Sequence, residues 1–152
     1  MAVEVAQRLE TVVTADGRVL AHVIHDSQDI SQTEFPTPSD SPMQVGFVVY
    51  PANSEIVPHI HRPLERHYLG TPEVLVVQHG KALADLYDED KTLVKSVPLG
   101  QGDIIILVSG GHGFRLLEDT KFLEVKAGPY RGVQDMDRFE PGHSHPHPHP
   151  HA

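Results

Sequence analysis

Residues 73 to 108 read EVLVVQHGKALADLYDEDKTLVKSVPLGQGDIIILV, and this stretch decides the fold. Apolar runs rich in Val, Leu and Ile alternate here with the polar segments Gln-His-Gly, Asp-Glu-Asp-Lys and Gly-Gln-Gly-Asp. Short runs of this kind, bounded by Gly and Asp, are typical of β-strands joined by tight turns. The stretch therefore predicts consecutive strands and no long helix.

The same pattern continues on both sides of this stretch. Towards the N-terminus, RLETVV and RVLAHVI flank Ala15-Asp16-Gly17, and an Asp-Gly pair between two such runs is a strong hairpin signal. The runs VGFVVYP and EIVPHIH also predict strands, as do FRLLED and KFLEVKAG further on. Residues 26 to 43 are polar and contain prolines, which predicts a loop. Short strands at this spacing indicate an all-β sandwich or barrel.

Composition excludes several classes of protein. A chain of 152 residues is long enough for a single domain with a proper core. The net charge of -9 and the total of only 12 Lys and Arg argue against a nucleic-acid partner. The absence of cysteine excludes disulfides, zinc-thiolate sites and cysteine nucleophiles. No apolar run approaches the ~18 residues that span a membrane, and the start does not resemble a signal peptide, so we expect a soluble cytoplasmic protein with no membrane partner.

The end of the chain has a different composition. Histidine alternates with proline from His145 to His151. Proline removes backbone donors and favours extended geometry, so this segment should not pack. We predict one domain over residues 1–139 and a disordered His-Pro-rich tail over residues 140–152. Such a tail is either a metal-collecting segment or a dispensable solvated extension.

His59 and His61 are the first candidate functional residues. They lie two apart in a predicted strand, where alternate side chains share a face, so both imidazoles would point the same way. This is the arrangement that binding of one ion by two histidines requires. An isolated pair of this kind would be interpreted as two surface histidines. A nearby acid that completes the ligand set would instead favour a metal site.

Two glutamates, Glu65 and Glu73, are candidates for that acid. Glu73 begins the run VLVV, whose burial would fix the carboxylate at the base of a strand. Glu65 lies between two arginines in RPLERHY, where a solvated surface acid is expected. We favour Glu73 as the ligand and keep Glu65 as the alternative ligand or a substrate contact.

The order of these features resembles the cupin family. Its first motif pairs HxH with a glutamate that opens a strand seven residues before a turn glycine, as Glu73 and Gly80 do. Its second motif begins with Gly-Asp, passes through an apolar strand and a glycine turn, and ends at a histidine, as residues 102–112 do with His112. The chain departs from the family in two respects. Eleven residues separate His61 from Glu73 where three or four are usual, and the second motif lacks the usual proline and reaches its histidine one residue early.

Residues 123–132, LEVKAGPYRG, are also similar to small single-domain bacterial cupins, including the WbuC-type metalloproteins. The resemblance implies a double-stranded β-helix, or jelly-roll, cupin barrel that is frequently a homodimer. It implies a metal site formed by His59, His61, Glu73 and His112. This nitrogen and oxygen ligand set suits one divalent transition metal, and Fe, Mn, Ni, Cu, Co and Zn all fit it.

The family does not imply a single chemistry, because function depends on the site. The first hypothesis is a small metal-dependent enzyme of the dioxygenase or isomerase type that acts on a small organic molecule. The alternatives are a non-catalytic small-molecule or sugar binding module, and a metal-handling protein that uses its tail. No catalytic base is assigned; Glu65, His67 and Tyr68 are the candidates from the segment after HxH.

Overall fold

The computed structural model describes residues 9–25, 29–129 and 137–141. These residues form eight strands in two antiparallel sheets and include no helix that is long and apolar enough to cross a membrane. The strands are β1 (Leu9–Val13), β2 (Val19–Ile24), β3 (Glu73–His79), β4 (Lys81–Tyr87), β5 (Leu93–Gly100), β6 (Ile104–Leu107), β7 (Gly111–Leu116) and β8 (Lys121–Lys126). The prediction of an all-β fold is confirmed.

The larger sheet has five strands in the order β1-β2-β6-β3-β8, and the smaller has three in the order β5-β4-β7. Two antiparallel sheets of this kind are consistent with a β-sandwich. Strands β7 and β8 each end their sheet among the described residues, and both come from the last part of the domain. Each of these edges is therefore available to a further strand.

Tight turns join neighbouring strands where glycine was expected. The predicted Asp-Gly hairpin is confirmed, since β1 pairs with β2 and Gly17 has φ of 90°. The turn between β3 and β4 passes through Gly80 with φ of 101°. A Cβ at Gly80 would collide with the backbone of Asp119 and Thr120, so glycine is required there for space as well as for conformation.

Two apolar layers cover the two faces of the larger sheet. The inner layer lies between the sheets and includes Leu75, Val77 and Ile105 together with Leu86 of the smaller sheet. The outer layer includes Val74, Ile104 and Ile106, and partly buried side chains at residues 43–47 pack against it. Strand β6 is buried at every position, which agrees with its continuous run of Ile and Leu.

The predicted strands VGFVVYP and EIVPHIH do not form, and this prediction was wrong. Phe47 makes a single antiparallel bridge with Glu34, and residues 48–72 contain no strand. Pro51, Pro58 and Pro63 lack the amide donors that a paired strand needs. Residues 29–43 are irregular, as predicted for the loop that contains them. The last eleven residues of the predicted tail, 142–152, lie outside the described residues, so its disorder stays a prediction.

Candidate functional site

Glu73 is the first residue of β3, where the sequence predicted it. Alternation along the strand puts it on the same face as Leu75 and Val77, which belong to the inner layer. Its side chain is 16% exposed, although it is a carboxylate at a strand end. Glu73 therefore lies at the open end of the space between the two sheets.

His112 is the second residue of β7, so this strand begins earlier than the predicted run FRLLED. It lies opposite Leu86 of the inner layer and faces the same space as Glu73. The two side chains meet with 3.9 Å between His112 Nε2 and Glu73 Oε1. Burial lowers the pKa of His112, and the nearby charge of Glu124 partly opposes this shift. The lowered pKa favours the neutral form of the imidazole, and a neutral imidazole beside a carboxylate is a suitable pair of donors for a metal ion.

Two further polar residues face this space from β8, and sequence reasoning did not select them. Glu124 lies opposite Leu75, and Lys126 lies opposite Glu73. Directly opposed residues share a face of an antiparallel pair, so both side chains point between the sheets. Lys126 Nζ lies 3.5 Å from Glu124 Oε2. The alternation in KFLEVK was the available signal, but it does not reveal which face is inside.

Two aromatic rings lie beneath these polar groups. Phe114 and Phe122 have ring centroids 4.9 Å apart, and both pack against the inner layer. The ring of His112 is 6.1 Å from that of Phe114. We call this group of residues the mouth; it consists of Glu73, His112, Phe114, Phe122, Glu124 and Lys126. It combines two acids, one base and one cation over an apolar floor.

His59 and His61 lie in an exposed segment and not in a strand, which corrects the prediction that placed them on a strand face. Their rings are nevertheless neighbours, with centroids 5.1 Å apart and planes inclined by 72°. Nδ1 of His59 lies 2.8 Å from the carbonyl oxygen of Val57. An Nδ1 proton donated to that oxygen leaves Nε2 as the donor atom for a metal.

Glu65, the alternative acid, is almost fully exposed. Its carboxylate is 3.3 Å from His67 Nε2, and both side chains are at least 85% exposed. Tyr68 is also exposed. These three candidates for acid or base chemistry thus lie in water on the segment after HxH.

The four predicted ligands form two pairs in the structure, Glu73 with His112 and His59 with His61. Among the described residues, no group of three or more His, Asp or Glu side chains is arranged to hold a metal ion. The nitrogen and oxygen donors fit a divalent transition metal chemically, but each pair alone supplies only two of them. A complete site requires that the exposed pair approach the mouth.

Comparison of the chain with protein-family models, with curated proteins and with solved structures finds no match in any of the three. The resemblance to cupins therefore rests on the sequence motifs at residues 59–80 and 102–112. The residues of the mouth are the candidate site that the structure of this chain indicates.

Proposed function

We propose that this chain is a metal-binding cupin protein with a jelly-roll fold. One divalent transition metal is held by His59, His61, Glu73 and His112, and the protein is a small metal-dependent enzyme of the dioxygenase or isomerase type that acts on a small organic molecule. The observation that carries the proposal is the 3.9 Å approach of His112 to Glu73. It joins two residues that are 39 positions apart in the chain and that the two motifs named independently.

Three features of the mouth support this proposal. A bound metal would polarise a carbonyl or enol oxygen of the substrate as a Lewis acid. Phe114 and Phe122 offer an apolar surface for the carbon skeleton, and Lys126 offers a cation for an anionic group. Glu124 lies beside His112 and can accept a proton from a substrate held over these rings.

The second candidate is a module that binds a small polar molecule in the mouth without turnover. The same ring pair and the charges of Glu124 and Lys126 favour it, because pockets for small polar ligands combine an apolar floor with a few placed charges. It predicts ligand binding with no catalysis on carbonyl, sugar or phenolic compounds. The tail's role in metal handling is a third hypothesis, and the experiment below separates it from the mouth.

Metal content per chain tests the proposal. The full chain and a form that ends at Phe139 would be reconstituted anaerobically with Fe, Mn, Co, Ni, Cu or Zn and measured by elemental analysis after dialysis. We expect about one tightly held ion per chain in both forms for at least one of these metals. Glu73→Gln and His112→Ala should each weaken it by more than about 100-fold, beyond the effect usual for an outer partner of a ligand.

His79→Ala is the matched control, since His79 ends the strand that Glu73 begins but is exposed. It should keep the full metal content. Glu65→Gln should keep it too, and loss of metal in that variant would transfer the acid ligand from Glu73 to Glu65. Equal metal content in wild type and His112→Ala, or none with any ion, would refute the metal site.

A further inference from the structure

Residues 137–141 lie against the smaller sheet, and Phe139 is the side chain that holds them there. Among these five residues it alone is half-buried. Its ring centroid lies 5.0 Å from that of Tyr87, with the two planes inclined by 86°, and Lys91 Nζ lies 5.7 Å from it. A ring in this position gains edge-to-face and cation–π attraction as well as apolar contact. Phe139 therefore anchors the chain just before the tail begins.

Gly111 leaves the room that this ring occupies. A Cβ at residue 111 would lie 3.1 Å from Cζ of Phe139 and 3.4 Å from Cβ of Tyr87. Glycine is the residue that permits such a close approach, because it has no Cβ to meet the ring. The first residue of β7 thus forms a notch for Phe139, and the next residue of that strand is His112.

The anchor and the mouth lie on the two sides of one edge strand. Gly111 pairs with Tyr87 on the outer face of the smaller sheet, whereas His112 pairs with Leu86 on the face turned to the mouth. Among the described residues β7 is an edge of its sheet, so a chain that leaves Phe139 can pass round this edge without crossing another strand. Packed sheets lie about 10 Å apart, which sets the distance to be covered.

The tail carries metal-binding side chains within that distance. An extended chain covers about 3.3 Å a residue, so His143 and His145, four and six residues beyond Phe139, reach about 13 and 20 Å from it. Imidazoles that are not preorganised around one ion bind it weakly, whereas converging ligands bind it tightly. An ion bound by the tail is therefore more stable in a complete site at the mouth. The tail histidines are His143, His145, His147, His149 and His151.

We propose that the tail loads the mouth: it collects a divalent transition ion from solution and passes it to the site that includes Glu73 and His112. The transfer is an exchange of ligands in which tail imidazoles leave the ion as those of the site bind, so nothing is oxidised or reduced. A histidine tethered beside the mouth has a millimolar effective concentration there, which makes this route faster than direct capture. The inference rests on the proposed metal site and adds the way in which that site is filled.

The rate at which the mouth fills tests this inference. Metal-free full-length protein is mixed with Ni²⁺ and, separately, with Zn²⁺ in a citrate buffer that keeps the free ion scarce, and samples are desalted and analysed for metal over time. In each chain the added substitution His112→Ala reports the ions held outside the mouth, and the difference is the occupancy of the mouth. Serine in place of all five tail histidines should slow filling by about 10-fold or more and leave the final occupancy unchanged.

Phe139→Ala keeps the histidines but removes their anchor. The tether to His145 then begins at Pro129, the nearest described residue before this segment, and lengthens from six residues to sixteen. Since effective concentration falls roughly as the −3/2 power of tether length, filling should slow by about fourfold. Val13→Ala is the matched control, because Val13 is an exposed apolar residue on β1 of the other sheet and should leave the rate at the wild-type value.

Other results overturn loading by the tail. Equal filling rates in wild type and in the tail-substituted chain would leave the metal site in place but show that the tail does not fill it. A lower final occupancy in the tail-substituted chain would make the tail a permanent ligand and not a carrier. Full recovery of its rate with residues 140–152 added as a separate peptide, at the concentration of the protein, would show that the anchor is unnecessary. A wild type that never exceeds His112→Ala in metal content refutes the metal site itself, and loading with it.

Discussion

At the scale of single residues, Arg115 matters through the carboxylate that it neutralises. Asp85 is 8% exposed and receives 2.8 Å hydrogen bonds from Arg115 Nε and Nη2, with a further one of 2.5 Å from Ser96 Oγ. Beside Asp85, the pKa of Arg115 is raised above its ordinary value. Arg115→Ala leaves a buried carboxylate without its cation, and since Arg115 itself is half exposed we expect about 1–3 kcal/mol less stability by urea unfolding.

The ion pair of Arg18 with Glu89 provides the comparison. The atoms are only 2.5 Å apart, but the side chains are 44% and 68% exposed. Water screens such a pair, so Arg18→Ala should change the free energy of unfolding by less than about 1 kcal/mol. If the two variants were equally unstable, burial of Asp85 would not be the reason for the cost.

His22 provides a pH prediction at the same scale. It is 3% exposed in β2, with Nδ1 2.9 Å from Thr11 Oγ1, and burial lowers its pKa below the ordinary value although Asp40 opposes the shift. The unfolded chain therefore binds a proton at higher pH than the folded chain, and stability should fall as pH decreases through about 6.5. His22→Gln should reduce that fall, as measured by the urea midpoints of unfolding between pH 8 and pH 5.5. An unchanged pH dependence would contradict this assignment.

At the scale of elements, the turn between β3 and β4 fixes the hairpin that begins with Glu73. Gly80→Ala meets two obstacles, a φ of 101° and the backbone of Asp119 and Thr120. Gly17→Ala meets only the first, since φ is 90° and nothing lies within 4 Å of the new Cβ. We expect about 1 kcal/mol of destabilisation for Gly17→Ala and about 2–4 kcal/mol for Gly80→Ala, measured by chemical unfolding. Equal losses of unfolding free energy in the two variants would show that Asp119 and Thr120 move aside for the new Cβ at residue 80.

Strands were predictable where a turn and the two apolar runs that flank it are adjacent in the chain. The Asp-Gly turn at residues 15–17 identified β1 and β2, and the runs around Gly80 identified β3 and β4. The segment from residue 48 to 61 has the same β-rich composition, but a strand needs a partner, and three prolines lie among residues 51–63. Composition alone therefore predicted strands there that the fold does not form.

The same distinction between local and distant information holds for the candidate site. Glu73 was found because it begins an apolar run, and His112 because it follows a Gly-rich turn. Glu124 and Lys126 were missed because their position depends on β8 pairing with β3, which is nearly 50 residues away in sequence. A period of two reveals that Phe122, Glu124 and Lys126 share a face, but the partner strand decides that the face is internal.

At the scale of the whole molecule, the larger sheet is buried on both faces. Ile105 and Ile106 are each 0% exposed, although neighbours in a strand point to opposite sides. Ile105 belongs to the layer between the sheets, and Ile106 belongs to the outer layer, which residues 43–47 cover. The irregular segment at residues 43–47 therefore acts as a third layer of the molecule.

Ile106→Thr tests this three-layer arrangement. If the outer face were in water, a β-branched polar residue in a strand would be nearly neutral. Because the face is covered, the change removes apolar contacts and buries a hydroxyl, so we expect about 2–3 kcal/mol of destabilisation in urea. Val13→Thr, on β1 with 43% exposure, is the matched control and should cost less than about 0.5 kcal/mol. A neutral Ile106→Thr would mean that residues 43–47 leave the sheet in solution.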